Sequence, residues 1–155
     1  METRDALTLR LEAKIHAEIP LSRHMGFQVR KVHGEGATCF LPLAPNTNHL
    51  GTQFGGSLFA AGALSCYIAL LGLLARLGLE SGNIVITNGN IEYLAPGTGD
   101  VLLNARLPNE GRVDFEAQLH KKNRARIKIE TEIVLHNDIV AKVFGEYLVR
   151  RESKT

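Results

Sequence analysis

The sequence predicts an α+β fold, in which an antiparallel sheet of about six strands wraps around one long central helix. The segment from Leu50 to Ala75 contains no charged residue, so a soluble chain must bury it, as a helix that is apolar on all sides and surrounded by protein. The rest of the chain holds about six segments of strand character, joined mostly by short turns that favour antiparallel neighbours. A strongly twisted sheet can curve around such a helix.

Periodicity and turn residues define the individual elements. Apolar residues spaced four apart predict an amphipathic N-terminal helix, and alternating apolar residues predict the strands. Glycines and prolines mark most of the boundaries. The predicted helices are Asp5–Glu18, stopped by Pro20, then Gly55–Leu77, ended by Gly78, and a short one in Asn109–Lys121. The predicted strands are Phe27–His33, Ala37–Leu43, Ile84–Leu94, Val101–Leu107, Arg124–His136 and Ile139–Val149.

The length and composition suit one globular domain. We expect it to span residues 1–155, with an N-terminal helix in 1–20 and a polar tail in 150–155. The net charge of +2 is too small to indicate a nucleic-acid partner or a membrane surface. Five glycines and a polar N-terminal third also argue against a membrane span in 50–75.

The cysteines and histidines show no cofactor pattern. Cys39 and Cys66 both lie in apolar surroundings and form no metal or redox motif, so we expect reduced core residues in a cytoplasmic protein. The histidines have no ligand spacing, and we therefore predict no metal and no cofactor.

The predicted architecture leaves surfaces that a second copy would cover. An open sheet has free edges, and the sheet does not cover one flank of the central helix. Dimerisation would bury both, so we expect at least a homodimer. Whether dimers pair into tetramers is left open.

The start of the central helix is the first candidate for chemistry. Gly55 and Gly56 leave the backbone N–H groups at the helix start free of side-chain obstruction. The helix dipole adds a potential that favours negative charge there. These groups would polarise a thioester carbonyl and stabilise its oxyanion. Alternatively, the glycine pair only lets the loop pack tightly on the sheet.

The loop before this helix supplies two further candidates, Asn48 and His49. Asn48 would orient a water molecule or hold the thioester carbonyl. His49 would act as a general base, because histidine titrates near neutral pH. The alternative for His49 is a loop residue bonded to a backbone carbonyl.

A predicted strand carries three polar residues on one face, Asn88, Asn90 and Glu92. This face is either solvated or, in a dimer, lies near the helix start of the partner. In the second case Asn88 and Asn90 would contact substrate, and Glu92 would be the second candidate for the general base.

One dense basic run remains. It comprises Lys121, Lys122, Arg124, Arg126 and Lys128, and Arg106 lies near enough in the predicted sheet to join it. Within the run, Arg124 and Arg126 are candidates for binding the phosphates of coenzyme A or an acidic carrier protein. The alternative is a solvated strand face.

The motif N-H-L-G-T-Q-F-G-G-S-L at 48–58, with I-E-Y-L-A-P at 91–96, resembles the hotdog thioesterase superfamily. Within it the chain is most similar to the family typified by the C-terminal domain of the YiiD proteins. In YiiD an acetyltransferase domain precedes this one, and we expect the free-standing form here.

This resemblance implies a dimeric hotdog protein that hydrolyses acyl thioesters of coenzyme A or of acyl carrier protein. In the phenylacetate-pathway branch an Asn matches Asn48, and a glycine pair matching Gly55-Gly56 supplies the oxyanion contact. That branch has an Asp where this chain has Ala63, and a His where it has Phe54. The departures leave His49, or Glu92 of a neighbouring subunit, as the base.

Two functions follow as expectations. The first is an acyl thioester hydrolase, in which an activated water attacks the carbonyl held at the helix start. The acyl chain would lie along the helix, and the predicted substrate-binding residues there are Phe54, Ser57, Leu58, Phe59 and Tyr67. The second is a non-catalytic acyl-CoA-binding module, which the absence of an acid at Ala63 favours. The acyl length and the carrier stay open.

Overall fold

The computed structural model describes residues 3–80 and 82–152. The helices are α1 (Ala6–Glu18), α2 (Pro20–His24), α3 (Gly55–Leu77) and α4 (Arg112–Lys122), with a short 3-10 helix at Ala44–Asn46. The strands are β1 (Gln28–His33), β2 (Gly36–Leu41), β3 (Asn83–Tyr93), β4 (Val101–Arg106), β5 (Arg124–Leu135) and β6 (Asp138–Arg150).

The strands form one six-stranded sheet in the order β1-β2-β4-β5-β6-β3. All neighbouring pairs are antiparallel. The sheet curves around α3, which contacts every strand. The predicted fold class, an antiparallel sheet wrapped around a long central helix, is confirmed.

The apolar composition of α3 is explained mostly by its burial inside the protein. It ends at Gly78, whose φ of 68° is the left-handed conformation typical of a helix C-terminus. By length and composition α3 is long and apolar enough to cross a membrane, but 72% of its most apolar stretch is buried inside the protein. The flank formed by Gly56, Ala60, Ala63 and Tyr67 is less buried, so the sheet leaves one side of the helix uncovered, as expected.

Side chains of α1 cap the β1 edge of the sheet. The Glu12 Oε2 accepts a 2.8 Å hydrogen bond from the Val29 N–H, and the Thr8 Oγ1 accepts one of 3.0 Å from the Val32 N–H. The Arg4 guanidinium donates to the Val29 carbonyl at 3.1 Å. Three backbone groups that this edge strand would offer to another chain, at Val29 and Val32, are thus already paired.

Among the residues that the structure describes, none covers the opposite edge, β3, in this way. Most residues of β3 are exposed, and large apolar side chains are among them: Val85, Ile86 and Tyr93. A β-bulge interrupts its pairing with β6 between Ile86 and Asn88. The bulge shifts the alternation by one residue. The side chains facing α3 are those of Ile84, Ile86, Ile91 and Tyr93, with Gly89 between them, whereas Val85, Asn88, Asn90 and Glu92 lie on the outer face.

Some predicted boundaries differ from the observed ones for local reasons. The second strand ends at Leu41 rather than at Leu43, because Pro42 has no N–H to donate to a ladder. The helix predicted from Asn109 begins at Arg112, after Gly111 in the left-handed conformation (φ 81°). Pro20 stops α1 but also starts α2, a position that suits proline. Residues 1–2 and 153–155 of the predicted termini lie outside the described residues.

Candidate active site

The start of α3 presents free hydrogen-bond donors. Phe54 occupies the N-cap position and its side chain offers no acceptor, and the first intrahelical bond runs from the Leu58 N–H to the Phe54 carbonyl at 3.1 Å. In the described part of the chain, the N–H groups of Gly55, Gly56 and Ser57 have no acceptor. With the helix dipole behind them, these donors favour a negatively charged oxygen.

Asn48 holds the loop before the helix in shape. Its Oδ1 accepts from the Leu50 N–H at 2.9 Å and from the Thr52 N–H at 3.1 Å. Its Nδ2 donates to the Thr52 Oγ1 at 2.9 Å. Both ends of the amide are therefore occupied within the loop, and Asn48 has a structural role that the sequence analysis did not predict. Its predicted role toward water or substrate stays a prediction.

Two buried amides anchor this loop to the rest of the fold. The Asn46 Nδ2 donates to the carbonyls of Met25 and Pro42, both at 2.8 Å. The Gln53 Nε2 donates to the carbonyls of Leu41 and Gly99 at 3.4 and 3.3 Å. Neither residue was predicted from the sequence, because nothing in the local pattern distinguishes a buried loop amide from an exposed one.

Tyr93 was also not selected, although it belongs to the I-E-Y-L-A-P motif. Its hydroxyl donates to the Gly55 carbonyl at 2.7 Å. A Cβ atom at Gly55 would lie 2.9 Å from this hydroxyl oxygen, and one at Gly56 would lie 2.9 Å from the Phe54 ring. Close approach of neighbouring rings therefore gives both glycines a packing reason, in addition to the donors that they expose.

An open groove of about 540 Å³ adjoins the helix start. Its lining residues come from the loop, from α3 and from the turn after β3: Thr52, Gln53, Gly55, Leu58, Tyr93, Leu94, Ala95, Pro96 and Gly97. Most of these surfaces are apolar or backbone, and no carboxylate or imidazole belongs to the set. The groove can hold an apolar chain beside Gly55, the first residue of α3, and it contains no general base of its own.

The two predicted bases lie apart from this groove. His49 is exposed at the tip of the loop and forms no hydrogen bond with the described residues. Glu92 lies on the outer face of β3, opposite the face on which the adjacent Tyr93 reaches Gly55. Within one chain, the structure brings neither His49 nor Glu92 into the groove.

The other polar candidates cluster on the outer face of the sheet. Asn88, Asn90 and Glu92 line a separate groove of about 680 Å³ together with residues of β4, β5 and β6. Arg124 and Arg126 are exposed on this same face. The Arg126 guanidinium forms a salt bridge of 3.2 Å with Glu146. These residues are grouped together but lie on the side of the sheet away from α3.

Of the five residues predicted to bind an acyl chain, Leu58 and Tyr67 line two different cavities and the other three line neither of these. Phe54 is exposed, Ser57 is half-buried, and Leu58 lines the groove at the helix start. Tyr67 lines a different cavity of about 420 Å³, between α3 and the beginning of β3. The Phe59 ring lies against Gly89 of β3.

The cysteines belong to the core. Burial raises the pKa of both the Cys39 and the Cys66 thiol to about 12. The Cys66 Sγ lies 3.1 Å from the Thr131 Oγ1. Among the residues that the structure describes, no group of three His, Cys, Asp or Glu side chains is placed to hold a metal ion.

Comparison with known proteins gives the family. The family model described as putative thioesterase (yiiD_Cterm) matches residues 8–151. The chain belongs to this family. Family membership supports thioester hydrolysis as its general activity. No curated protein matches the chain.

Solved structures share the fold over nearly the whole length of the YiiD_C domain. A putative thioesterase from Shewanella oneidensis is 26% identical, with a TM-score of 0.85 over 93% of this chain and 97% of that one. A protein of unknown function from Chlorobaculum tepidum is also 26% identical, with a TM-score of 0.84 over 94% and 95%. A thioesterase from Haemophilus influenzae is 16% identical, with a TM-score of 0.73 over 93% and 90%, and it supports the fold alone.

Proposed function

We propose that this chain hydrolyses acyl thioesters of coenzyme A or of acyl carrier protein by attack of an activated water. One observation carries the proposal: the N–H groups of Gly55, Gly56 and Ser57 are free at the helix start, and Gly55 lines an apolar groove. A thioester carbonyl at the helix start would accept from these donors, and its acyl chain would lie against Leu58 and Tyr93.

The helix start would act mainly on the transition state. As water attacks, the carbonyl oxygen gains negative charge and its hydrogen bonds to the N–H groups strengthen. Each such donor contributes about 3 kcal/mol to the transition state in comparable sites. The donors belong to the rigid end of a buried helix, so little reorganisation is needed when the charge develops.

The water needs a base that the groove does not contain. His49 on the exposed loop is one candidate, and a residue of a second subunit, Glu92 among them, is the other. A base from the loop would have to approach the groove when substrate binds. A base from a partner subunit would be in place only in the dimer. Activity would then require dimerisation, whereas activity that uses His49 would not.

A homodimer through β3 is part of the proposal. The β1 edge is capped by side chains of α1, whereas β3 exposes both its backbone edge and large apolar residues. Pairing of two β3 strands would cover this edge and would approach the uncovered flank of α3. Further pairing of dimers into tetramers stays a prediction.

A cytoplasmic location stays a proposal as well. It rests on two free cysteines that are buried in the core rather than paired.

A second candidate function is a non-catalytic acyl-CoA-binding module. One observation favours it: the groove of one chain has no general base. The resemblance to the phenylacetate-pathway branch adds that Ala63 stands where that branch has an Asp. In this case the groove would hold the acyl chain and the helix start would hold the carbonyl, without turnover.

One experiment separates the two functions. Purified protein is mixed with acyl-CoAs of several chain lengths, free thiol is followed with a thiol-detecting dye, and melting temperature is recorded in parallel. Hydrolysis predicts steady thiol release above the uncatalysed rate for at least one substrate. A rise in melting temperature without thiol release would identify the binding module, and the absence of both effects would contradict both functions.

A further inference from the structure

Two residues of like charge, Arg124 and Arg150, lie opposite one another at one end of the sheet. Arg124 begins β5 and Arg150 ends β6, and the ladder between the two strands pairs them directly. Both are exposed, and like charges that face each other across a ladder destabilise a sheet. Within residues 3–80 and 82–152, neither guanidinium forms a salt bridge. An anion bound between the two residues, which we call the arginine pair, would relieve this repulsion.

Further positive charge surrounds the arginine pair. The last turn of α4 carries Lys121 and Lys122 just before β5 begins. Arg151 follows the end of β6, and its backbone N–H donates to the Asn123 carbonyl at 2.9 Å. In the described part of the chain, the buried Nε of Arg151 has no hydrogen-bond partner. Clustered cations with guanidinium donors left free suit the binding of a phosphate.

The arginine pair is far from the helix start of its own chain. Arg150 pairs with Asn83, the first residue of β3, whereas Gly55 is bound by Tyr93, the last residue of β3. These two ends of β3 are ten residues apart, or roughly 30 Å along a strand. The pantetheine arm between a thioester and its phosphate has about as many bonds as five extended residues, roughly 17 Å. A phosphate whose thioester lies at the helix start is therefore out of reach of the arginine pair in the same chain.

The proposed dimer reverses this relation. Two β3 strands related by a two-fold axis pair antiparallel, so the start of one strand lies beside the end of the other. Strands in a sheet are about 4.8 Å apart. In a pairing centred near Asn88, Arg150 would lie two strands, or about 10 Å, from Tyr93 of the partner subunit. Arg124 would lie three strands, or about 14 Å, from it. Both distances are within the length of the pantetheine arm.

We propose that the arginine pair of one subunit binds the phosphate of a substrate whose thioester lies at the helix start of the other subunit. The proposal rests on the proposed function, including its dimer. Coenzyme A and acyl carrier protein both carry a phosphate at the end of the pantetheine arm, and a guanidinium can bind phosphate through two parallel N–H groups. The arm would pass round the end of the sheet, where β5 begins and β6 ends. Each subunit then supplies the oxyanion donors of one site and the phosphate ligands of the other.

The first test removes both charges, in Arg124→Gln/Arg150→Gln. KM for the acyl-CoA that the wild type cleaves best should rise about tenfold or more, as expected for lost hydrogen bonds to a charged group. The kcat should not change, because the phosphate is bound equally in the ground state and the transition state. KM for the same acyl group on pantetheine, which has no phosphate, should stay at the wild-type value. An equal rise for both substrates would overturn the proposal.

Arg30→Gln/Lys31→Gln is the matched control. It removes two exposed charges from β1, the strand at the opposite edge of the sheet from β3, and it should keep the wild-type KM for acyl-CoA. An equal rise in this control would reduce the effect to net charge and would overturn the proposal. Repeating the assay with acyl carrier protein identifies the source of the phosphate, because only the carrier that uses the arginine pair should show the rise in KM.

Mixed dimers test whether the arginine pair acts on the other subunit. One subunit carries Gly55→Pro, which removes a donor of the helix start, and the other carries Arg124→Gln/Arg150→Gln. Two different affinity tags allow the mixed dimer to be purified. If the pair serves the other subunit, one of the two sites has both parts intact, and the mixed dimer should cleave acyl-CoA at low concentration faster than either variant alone. If it serves its own subunit, both sites are defective and no such gain appears, which would overturn the proposal.

Binding separates this proposal from the proposed hydrolysis. The affinity for acyl-CoA is measured by calorimetry, which needs no turnover. If the wild type cleaves no thioester but Arg124→Gln/Arg150→Gln binds acyl-CoA more weakly, the phosphate site stands while hydrolysis fails. The same two substitutions should have no effect in Ile86→Lys, which is designed to remain a monomer. If the wild type cleaves acyl-CoA and the double variant keeps its KM and affinity, the proposal is wrong and hydrolysis stands.

Discussion

The Tyr93 hydroxyl donates a 2.7 Å hydrogen bond to the Gly55 carbonyl and so joins the last residue of the edge strand to the first residue of the central helix. This contact links the helix start, with its free N–H groups, to the apolar wall of the groove. A change on β3, including a change caused by a second subunit, can therefore reach the proposed oxyanion site directly.

Loss of this hydrogen bond should reduce activity more than stability. For Tyr93→Phe we expect about tenfold lower kcat, because small misplacement of reacting groups is costly, and a loss of about 1 kcal/mol or less in the free energy of unfolding. Tyr147→Phe is the control, because its hydroxyl also donates at 2.7 Å to a carbonyl of α3, that of Ala63. Steady-state kinetics and urea denaturation would check this. Equal kcat losses in both variants would contradict a positioning role for Tyr93.

Two substitutions distinguish the role of the Gly55 N–H from the role of its missing side chain. Gly55→Ala adds a Cβ atom 2.9 Å from the Tyr93 hydroxyl oxygen but keeps the N–H. Gly55→Pro adds a similar atom and removes the N–H, at a first helical position where proline is tolerated. Its neighbour Phe54 already has the extended conformation (φ −63°, ψ 132°) that precedes proline.

If the Gly55 N–H stabilises the oxyanion, kcat of Gly55→Pro should be about 100-fold or more below that of Gly55→Ala. Thioesterase kinetics at saturating substrate, with circular dichroism to check folding, gives the comparison. Equal kcat values in the two variants would assign the role of Gly55 to packing alone.

The open edge of β3 should control assembly. A charge placed on an edge strand opposes pairing with another chain, so Ile86→Lys should convert the proposed dimer into a monomer. Leu102→Lys on the interior strand β4 is a matched control, because the two side chains are 44% and 43% exposed. Light scattering coupled to size exclusion would measure the mass. A dimeric Ile86→Lys variant would place the interface elsewhere.

The two cysteines should not react with thiol reagents in the native protein. Burial raises the pKa of Cys39 and Cys66 to about 12, so neither forms thiolate near neutral pH and neither is accessible to reagent. We expect no reaction with a thiol dye at about pH 8, where an unperturbed thiol is partly ionised, and reaction of both after denaturation. Mass spectrometry of labelled protein would count them. Rapid native labelling would contradict the buried placement and would add a background to the thioesterase assay.

The fold was predictable because its main signals are local. The uncharged run that becomes α3 and the alternation of β5 both reflect which side each residue buries, and periodicity records this directly. The helix-start donors were predictable for the same reason, because Gly55 and Gly56 follow a polar loop and open an apolar segment. The boundaries that moved depend on single residues: Pro42 has no N–H for the ladder, and Gly111 has the left-handed conformation.

The sequence by itself determined that an apolar helix must be wrapped by an antiparallel sheet and that its N-terminus carries exposed donors. Only the tertiary structure decided which other groups meet there. It placed Tyr93 against Gly55 and Glu92 on the far face, although the two residues are adjacent. The physical reason is that the face on which a strand residue lies depends on register, and the bulge after Ile86 shifts that register by one residue. Contacts between α3 and β3 are long-range, and no local pattern encodes them.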